Sequence, residues 1–236
     1  MADLKRVIIK LSGEALSGDR GYGFDDDVLR DIAINIKKIN EKGIQIGIVV
    51  GGGNFWRGRS SSNIDRSTSD QIGMLGTTMN ALRIEQELIS AGIKAKVLTS
   101  LTMESIAERF NNKKAIEYMD DGYVLIFGGG TGLPFFSTDT TAALRACELN
   151  ADTILIGKNG TDGVYDKDPN KYDDAVKFDE LTFQEIIDRN LQVIDQTAAS
   201  MCRDEKISVV VFGIDDANNL IKITNGENIG TKVRGE

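Results

Sequence analysis

The chain has 236 residues, 41% of them hydrophobic, with no histidine, two cysteines and a formal net charge of −8. The absence of histidine excludes Ser-His-Asp and Cys-His nucleophile systems, His-ligated zinc and an imidazole general base. The acidic balance argues against a broad nucleic-acid-binding surface, so positive potential for any anionic ligand has to be concentrated locally.

The elements follow in chain order. Val7-Ile8-Ile9-Lys10-Leu11 reads as a buried strand, and Val28, Leu29, Ile32, Ile36 and Ile39 give one helix face, serving either core or interface. Ile44 to Val50 is a second strand, followed by a helix over about Ser69 to Ala91. Ala95 to Thr99 is a third strand and Tyr123 to Phe127 a fourth. A helix over Asp139 to Leu149 leads to a fifth strand, Thr153 to Ile156. Thr182 opens a helix whose Glu185 completes a capping box. Val209 to Phe212 is a sixth strand, and a last short one is expected near Ile221 to Thr224. Near-continuous apolar strands separated by helices predict a parallel sheet covered on both faces. With no repeat or linker, and prolines only at positions 134 and 169, a single domain is expected.

No run approaches the ~20 apolar residues of a membrane span. Met1-Ala2-Asp3-Leu4-Lys5-Arg6 passes straight into an apolar strand, without the h-region of a secretory signal. Cys147 and Cys202, far apart and in helical contexts, read as buried thiols of a reducing compartment. A cytoplasmic protein is the expectation.

Function is read from the segment after each strand. The first strand ends in Lys10-Leu11-Ser12-Gly13. The second runs into Gly51-Gly52-Gly53-Asn54-Phe55-Trp56-Arg57-Gly58, the fourth into Gly128-Gly129-Gly130-Thr131-Gly132, and the fifth into Gly157-Lys158-Asn159-Gly160. In a parallel sheet these segments share the carboxyl edge, where open α/β sheets bind ligands. Glycine lets a backbone approach phosphate oxygens and aim its N–H groups at them. Tight turns alone rarely need three consecutive glycines. Lys10 inside an apolar strand has to be paired or reach a crevice, and a phosphate-bridging lysine fits better than an edge-strand snorkel. Ser137-Thr138-Asp139 stands where a helix begins, as a cap and an anion site at once. The remaining inventory of Lys, Arg, Asp, Glu, hydroxyls and backbone N–H groups suits phosphoryl transfer, which needs little else.

Other motifs fail. Gly157-Lys158 is followed by Asn159 and lacks the earlier glycine of a P-loop, and neither glycine triplet continues as G-x-G-x-x-G. Asp166-x-Asp168-x-Asn170 begins like a calcium loop, but Lys171 and Lys177 stand where the turn glycine and bidentate glutamate belong. The signatures of protein kinases are missing as well.

Taken together, Lys10-Leu11-Ser12-Gly13-Glu14-Ala15-Leu16 and Gly51-Gly52-Gly53-Asn54-x-x-Arg57-Gly58 resemble the amino-acid kinase superfamily. Within it, Asp70-x-x-Gly73-Met74-Leu75 with Met79-Asn80, and Gly130-Thr131-Gly132-x-Pro134-Phe135-Phe136-Ser137-Thr138-Asp139, resemble the bacterial uridylate (UMP) kinases. Asp162-Gly163-Val164-Tyr165-x-x-Asp168-Pro169 and Gly230-Thr231 fit too, so the resemblance spans essentially the whole chain.

The resemblance implies a three-layer αβα sandwich that transfers the γ-phosphoryl group of ATP to UMP with Mg²⁺. Residues 1–150 would form the acceptor side and 151–236 the ATP side. It implies that Lys10, Leu11, Ser12, Gly13, Gly53 and Arg57 contact ATP phosphates or the transferred group. Gly52, Asp70, Thr131, Gly132, Leu133, Pro134, Phe135, Phe136, Ser137 and Thr138 would hold UMP, and Asn159, Tyr165 and Asp168 would line the adenine-nucleotide side. Asp139 and Asp195 match acidic positions that organise Lys10, Arg57 and magnesium, with the metal held through nucleotide phosphates. The family pattern often has Asn between Gly132 and Pro134; Leu133 here cannot offer uracil a side-chain amide. A homohexamer, activation by GTP and inhibition by UTP are further implications, with Gly18-Asp19-Arg20-Gly21-Tyr22-Gly23 resembling the segment linked to GTP response. Open alternatives are a carbamate, acetylglutamate or aspartate kinase, and a non-catalytic nucleotide sensor on the same fold.

Overall fold

The computed structural model describes residues 4–57, 63–189, 191, 193–216 and 218–235. Among these residues nine strands form the main sheet: β1 (Arg6–Leu11), β2 (Gln45–Val50), β3 (Ala95–Thr99), β4 (Glu108–Arg109), β5 (Val124–Gly128), β6 (Thr153–Lys158), β9 (Glu180–Thr182), β10 (Ser208–Gly213) and β11 (Thr231–Arg234). Their spatial order is β4-β3-β5-β2-β1-β6-β10-β11-β9. Pairing is parallel from β4 through β10; β11 runs antiparallel to β10, with β9 parallel to β11. The short β7 (Val164–Tyr165) and β8 (Lys177–Phe178) make a separate antiparallel pair.

Two apolar layers flank this sheet. On one side Val7, Ile9, Leu11, Ile46, Ile48 and Val50 pack under α1 (Gly13–Ser17), α2 (Asp26–Asn40), α3 (Arg66–Ser90) and α8 (Asn218–Thr224). On the other, Ile8, Val49 and Phe127 pack under α4 (Asn112–Asp120), α5 (Thr138–Glu148), α6 (Phe183–Asp188) and α7 (Gln196–Asp204). The predicted three-layer, mainly parallel sandwich is the observed fold.

The α2 stripe Leu29, Ile32, Ile36 and Ile39 is core, not interface. Asp25 caps that helix by accepting the Asp27 and Val28 N–H groups, which uses two of its unsatisfied donors. The capping box at Thr182 and Glu185 is present in both directions.

One expected strand is corrected. Ile221 to Thr224 is helical, and the terminal strand is Thr231–Arg234, beyond the predicted tract. Leu220 and Ile223 are the buried residues of the helix, a spacing of three that does not suit alternate faces of a strand. Asp216 assists by accepting the Asn218 N–H at 2.9 Å. β11 was hard to see because Val233 is its one apolar residue, and it faces the core. The cysteines are a partial correction: Cys202 on α7 is buried, its thiol pushed up to about 12 chiefly by burial, whereas Cys147 on α5 is half-buried.

At the sheet edge, Glu108 of β4 meets Lys114 at 2.9 Å, the Tyr118 hydroxyl at 2.8 Å and Lys96 at 3.2 Å. These partners, Lys114 first, draw its carboxyl from 4.5 down to about 2. A depressed folded-state value means stabilisation that is complete above the unfolded value and is lost as pH falls toward about 2. Glu108→Gln is therefore expected to lower Tm at pH 7 by a few degrees, a difference that shrinks through pH 4 and is mostly gone near pH 2. Thermal melts across that range check this; a pH-independent difference would exclude the linkage.

Candidate active site

The four glycine-bearing strands are consecutive neighbours in space, β5-β2-β1-β6, and all parallel. Their carboxyl ends therefore lie side by side, as the sequence predicts. The flanking helices change faces here, α3 following β2 on one side and α5 following β5 on the other. This is the kind of topological crevice in which open α/β sheets hold ligands.

Lys10 sits in its middle. β1 is paired on both sides, with Lys10 opposite Val49 and Ile156, so it is not an edge lysine. The strand alternation puts it on the Ile8 face, beneath α5. Its ammonium lies 3.0 Å from Asp139 Oδ1, with the two side chains 14% and 20% exposed. Asp139 stands in the first turn of α5, one residue beyond Thr138 and two beyond the Ser137 cap. A carboxylate is favoured at a helix N-terminus; this one is also fixed against a cation.

Lys158, the last residue of β6, joins the same cluster. Burial pushes its ammonium below the ordinary value; the Asp139 charge opposes that and the Lys10 charge adds to it. Two lysines thus act on one carboxylate at this end of the sheet. Sequence reasoning named Gly157-Lys158-Asn159 for its glycine and missed the lysine. The signal was present: a cation ending an apolar strand beside the strand of Lys10.

The Gly51–Arg57 loop is built largely by packing. A Cβ on Gly52 would lie 2.7 Å from the Gly73 carbonyl oxygen of α3, and one on Gly13 would lie 2.6 Å from the Gly53 nitrogen. Close backbone approach therefore accounts for these two glycines before any ligand is considered. Beneath the loop, Asn54 and Asn80 form a reciprocal amide pair: Asn54 donates to Asn80 at 3.0 Å and Asn80 to Asn54 at 2.8 Å. Their remaining N–H groups donate to the Gly23 carbonyl at 2.7 Å and the Gly51 carbonyl at 2.6 Å. The Gly18–Gly23 segment is thereby tied to the glycine loop, and Tyr22 and Phe24 both set their rings against Phe55. Within that segment Gly18, Asp19 and Arg20 form one 3-10 turn, closed by the Gly21 N–H on the Gly18 carbonyl. Arg57 pairs with Glu14 at 2.8 Å, both side chains exposed. Gly58 of the predicted motif lies outside the described residues.

The Gly128–Ser137 loop is the most constrained part of the rim. Gly129, Gly130 and Gly132 have φ of 77°, 57° and 80°, and Phe135 has φ of 73°. The glycines occupy that region freely. Phe135 does not, and a non-glycine residue held there marks a site where surrounding contacts override backbone preference. Those contacts are visible. Asp70 accepts the Phe135 N–H at 2.7 Å, Arg66 lies 3.7 Å from Asp70, and the Arg66 guanidinium stands 5.0 Å from the Phe135 ring centroid. Thr131 Oγ1 accepts the Leu133 N–H at 3.2 Å and donates to its carbonyl at 3.1 Å. Leu133, Phe135 and Phe136 present exposed side chains, and Pro134 lies between them. At the loop's end Ser137 caps α5 and donates to Asp195, which also accepts from Thr140 and caps α7 through the Ala198 N–H. Asp195 thus binds two helix starts together. Its bonds are to hydroxyls and an amide, a role that spacing alone did not disclose.

Beyond β6, Asn159 is exposed. The Tyr165 hydroxyl donates to Asp162 at 2.5 Å, and Lys177 reaches the same carboxylate at 2.9 Å. Asp168 accepts the Asn170 N–H at 3.0 Å and pairs with Lys171 at 3.1 Å, contacts that hold its carboxyl below the usual range, Lys171 foremost. These bonds of Tyr165 and Asp168 lie within the 162–177 segment. Surface clefts of about 610 Å³ beside Glu104–Lys114 and about 520 Å³ beside Thr182–Gly235 take their walls from none of the predicted site residues.

The family model for the amino acid kinase family matches residues 5–213. The chain belongs to that family. It is 51% identical over 240 residues to a uridylate kinase of Limosilactobacillus reuteri (strain DSM 20016), covering all of both chains. Among solved structures it is similar to UMP kinase from Bacillus anthracis, with a TM-score of 0.96 at 38% identity, covering 99% of this chain and 97% of that one. UMP kinase from Ureaplasma parvum is similar with a TM-score of 0.93 at 34% identity, covering 98% and 99%.

The buried amide pair gives a direct test of the loop's support. Asn80→Ala leaves the Asn54 amide without its buried partner, which should remove about 1–3 kcal/mol of stability. Urea unfolding measures it; a change within about 0.5 kcal/mol, typical of an uncoupled surface site, would show that the pair does not hold the loop.

Proposed function

We propose that the chain is a uridylate kinase, transferring the γ-phosphoryl group of ATP to UMP to give UDP in pyrimidine nucleotide synthesis. The observation that carries this reading is the Lys10–Asp139–Lys158 cluster at the centre of four adjoining glycine segments, in a chain half identical to uridylate kinases over its full length.

The residue inventory suits the chemistry. A phosphate monoester has a second pKa of about 6, so the UMP phosphate is largely dianionic at neutral pH. The acceptor oxygen is already deprotonated and no general base is required. The obstacle is repulsion between two polyanions, relieved by fixed cations and aimed N–H dipoles in a preorganised site. Asp139 fixes the Lys10 ammonium in place before substrate arrives. Lys158 adds a second cation, and its partial desolvation raises its value to a phosphate. Arg57 is held by Glu14 in the free chain and would exchange that carboxylate for a phosphate oxygen.

In this reading residues 1–150 form the acceptor side. Gly52, Asp70 and the Thr131–Thr138 loop hold UMP, with Asp70 on ribose hydroxyls through one carboxylate oxygen while the other keeps the Phe135 N–H. Leu133 offers uracil backbone groups only. Leu11, Ser12, Gly13, Gly53, Asn159, Tyr165 and Asp168 serve ATP, with 151–236 as its side. Asp195 serves the site by fixing the starts of α5 and α7. Magnesium fits as an ion held through the nucleotide phosphates. In the free chain Asp139 lies beside Lys10, and Asp195 accepts from the Ser137 and Thr140 hydroxyls. When bound, the ion neutralises phosphate charge. A homohexamer in the cytoplasm, with GTP activation through Gly18–Gly23 and UTP inhibition, completes the proposal; the Asn54–Gly23 bond supports a route from that segment to the glycine loop.

A coupled ADP-release assay with ATP–Mg²⁺ and each nucleoside monophosphate tests the acceptor, with glutamate, aspartate and carbamate as the competing family substrates. UMP is expected to give the fastest turnover; transfer to one of the others instead would overturn the choice, and nucleotide binding without any turnover would point to a sensor. Lys10→Ala and Arg57→Ala should each lower kcat on the order of 100- to 1,000-fold, as expected for loss of one transition-state charge contact, with near-native circular dichroism. Near-wild-type turnover in either would remove that residue from the reaction.

A further inference from the structure

Arg145, in the last turn of α5, is a buried cation that the phosphate chemistry does not use. Its side chain is 4% exposed. Burial pushes its guanidinium down from its ordinary value, with Glu148 opposing. The guanidinium stacks 3.8 Å from the Phe110 ring centroid and 5.8 Å from that of Phe127, which themselves meet edge-to-face. It pairs with Glu148 at the surface side. At its inner end it donates to Ser100 Oγ at 2.7 Å, and Ser100 in turn donates to the Gly130 carbonyl at 2.7 Å. A Cβ on Gly132 would lie 3.1 Å from Ser100 Cβ, so Ser100 is the surface on which this turn of the loop rests. Nε of Arg145 is buried without a hydrogen-bond partner, a cost retained while the other guanidinium nitrogens are engaged.

We infer that Arg145, acting through Ser100, is a positioning residue for the acceptor loop, setting the Gly130 carbonyl and hence the Thr131–Thr138 segment in its binding shape. Thr77 fixes the same loop at Gly129, accepting its N–H at 2.8 Å, and Asp70 fixes it at Phe135. Those anchors come from α3. The Ser100–Arg145 path supplies the support from the opposite side, joining the loop to β3 and α5. Without it the stretch between Gly129 and Phe135 has lost one of three anchors, and the backbone at three glycines is free to relax. A guanidinium suits this position because its planar fork reaches Ser100 and Glu148 together while its face stacks on a ring.

The inference rests on the acceptor role proposed for this loop, and two readouts separate them. Hydrogen exchange reports the positioning alone. In Ser100→Ala, and in Arg145→Lys, the amides of Gly132 and Phe135 should exchange roughly 10-fold faster, the loss of one buried hydrogen bond being about 1–1.5 kcal/mol, while β5 amides are unchanged. Steady-state kinetics report the role. KM for UMP should rise roughly 10-fold on the same basis, with KM for ATP and kcat at saturation within about 2-fold. Folded Ser100→Ala with wild-type loop exchange overturns the inference, as does an equal rise in both KM values. If Arg145→Lys fails to fold, Ser100→Ala decides alone. Faster loop exchange with unchanged KM for UMP confirms the support and removes the loop from acceptor binding. A wild-type protein that does not turn over UMP sinks the functional reading and leaves the exchange result to judge the support.

Discussion

The ion pair between Lys10 and Asp139 is the interaction on which the arrangement of the rim depends. A lysine in a strand paired on both sides cannot escape to water along the sheet edge, and desolvating it alone is expensive. Asp139 is supplied by α5, which crosses the far face and begins at the rim. The pair therefore requires three things at once: β1 in the middle of the sheet, α5 starting at the carboxyl edge, and the Ser137 cap in register to turn Asp139 inward. Lys158 arrives through the same topology, because β6 is the strand that α5 leads into. Strand order thus brings two lysines to the middle of the rim, despite the acidic composition.

The glycines do two jobs that cannot be separated by inspection of the chain. Gly52 and Gly13 are demanded by backbone packing against α3 and the neighbouring loop, so their presence does not by itself require a phosphate. Yet Gly52, Gly53 and Gly130 remain partly exposed, so main chain and not side chains faces outward there, which is what anion binding asks of a loop. Packing explains why glycine is needed; the cations explain what the resulting surface is good for. The competing account of glycines as turn residues is thus correct in part and insufficient alone.

The central sheet was legible because its strands are continuous apolar runs, and the rim followed once those strands were taken as parallel. Lys10 announced itself by being costly where it stood. Lys158 did not, because a lysine at a strand end is cheap unless its neighbours are known. The Arg145–Ser100 path was invisible for a related reason: its partners are 45 residues apart in sequence, and an arginine in an amphipathic helix reads as solvated. The late strand was misplaced because Ile221-Lys222-Ile223 alternates like a strand while Leu220 and Ile223 make the buried contact of a helix. Period-2 and period-3 patterns cannot be told apart over so short a stretch.

What distinguishes this rim from a generic α/β edge is how much of it is held from below. Asn54 and Asn80 satisfy all four of their amide hydrogens beneath one glycine loop, Asp195 joins the starts of two helices at the end of the other, and Asp70 holds Phe135 in a backbone region it would not choose. Each of these groups bonds main chain, an amide or a hydroxyl of the chain itself, so the loops are supported before a ligand contributes anything. A site that must bring two like-charged phosphates together gains little from loops that rearrange, since ordering entropy would be added to electrostatic repulsion. Arg57 with Glu14 is an exposed pair in water, worth little on its own. Support from beneath the backbone therefore sets the shape of the rim independently of any exposed ion pair at its surface.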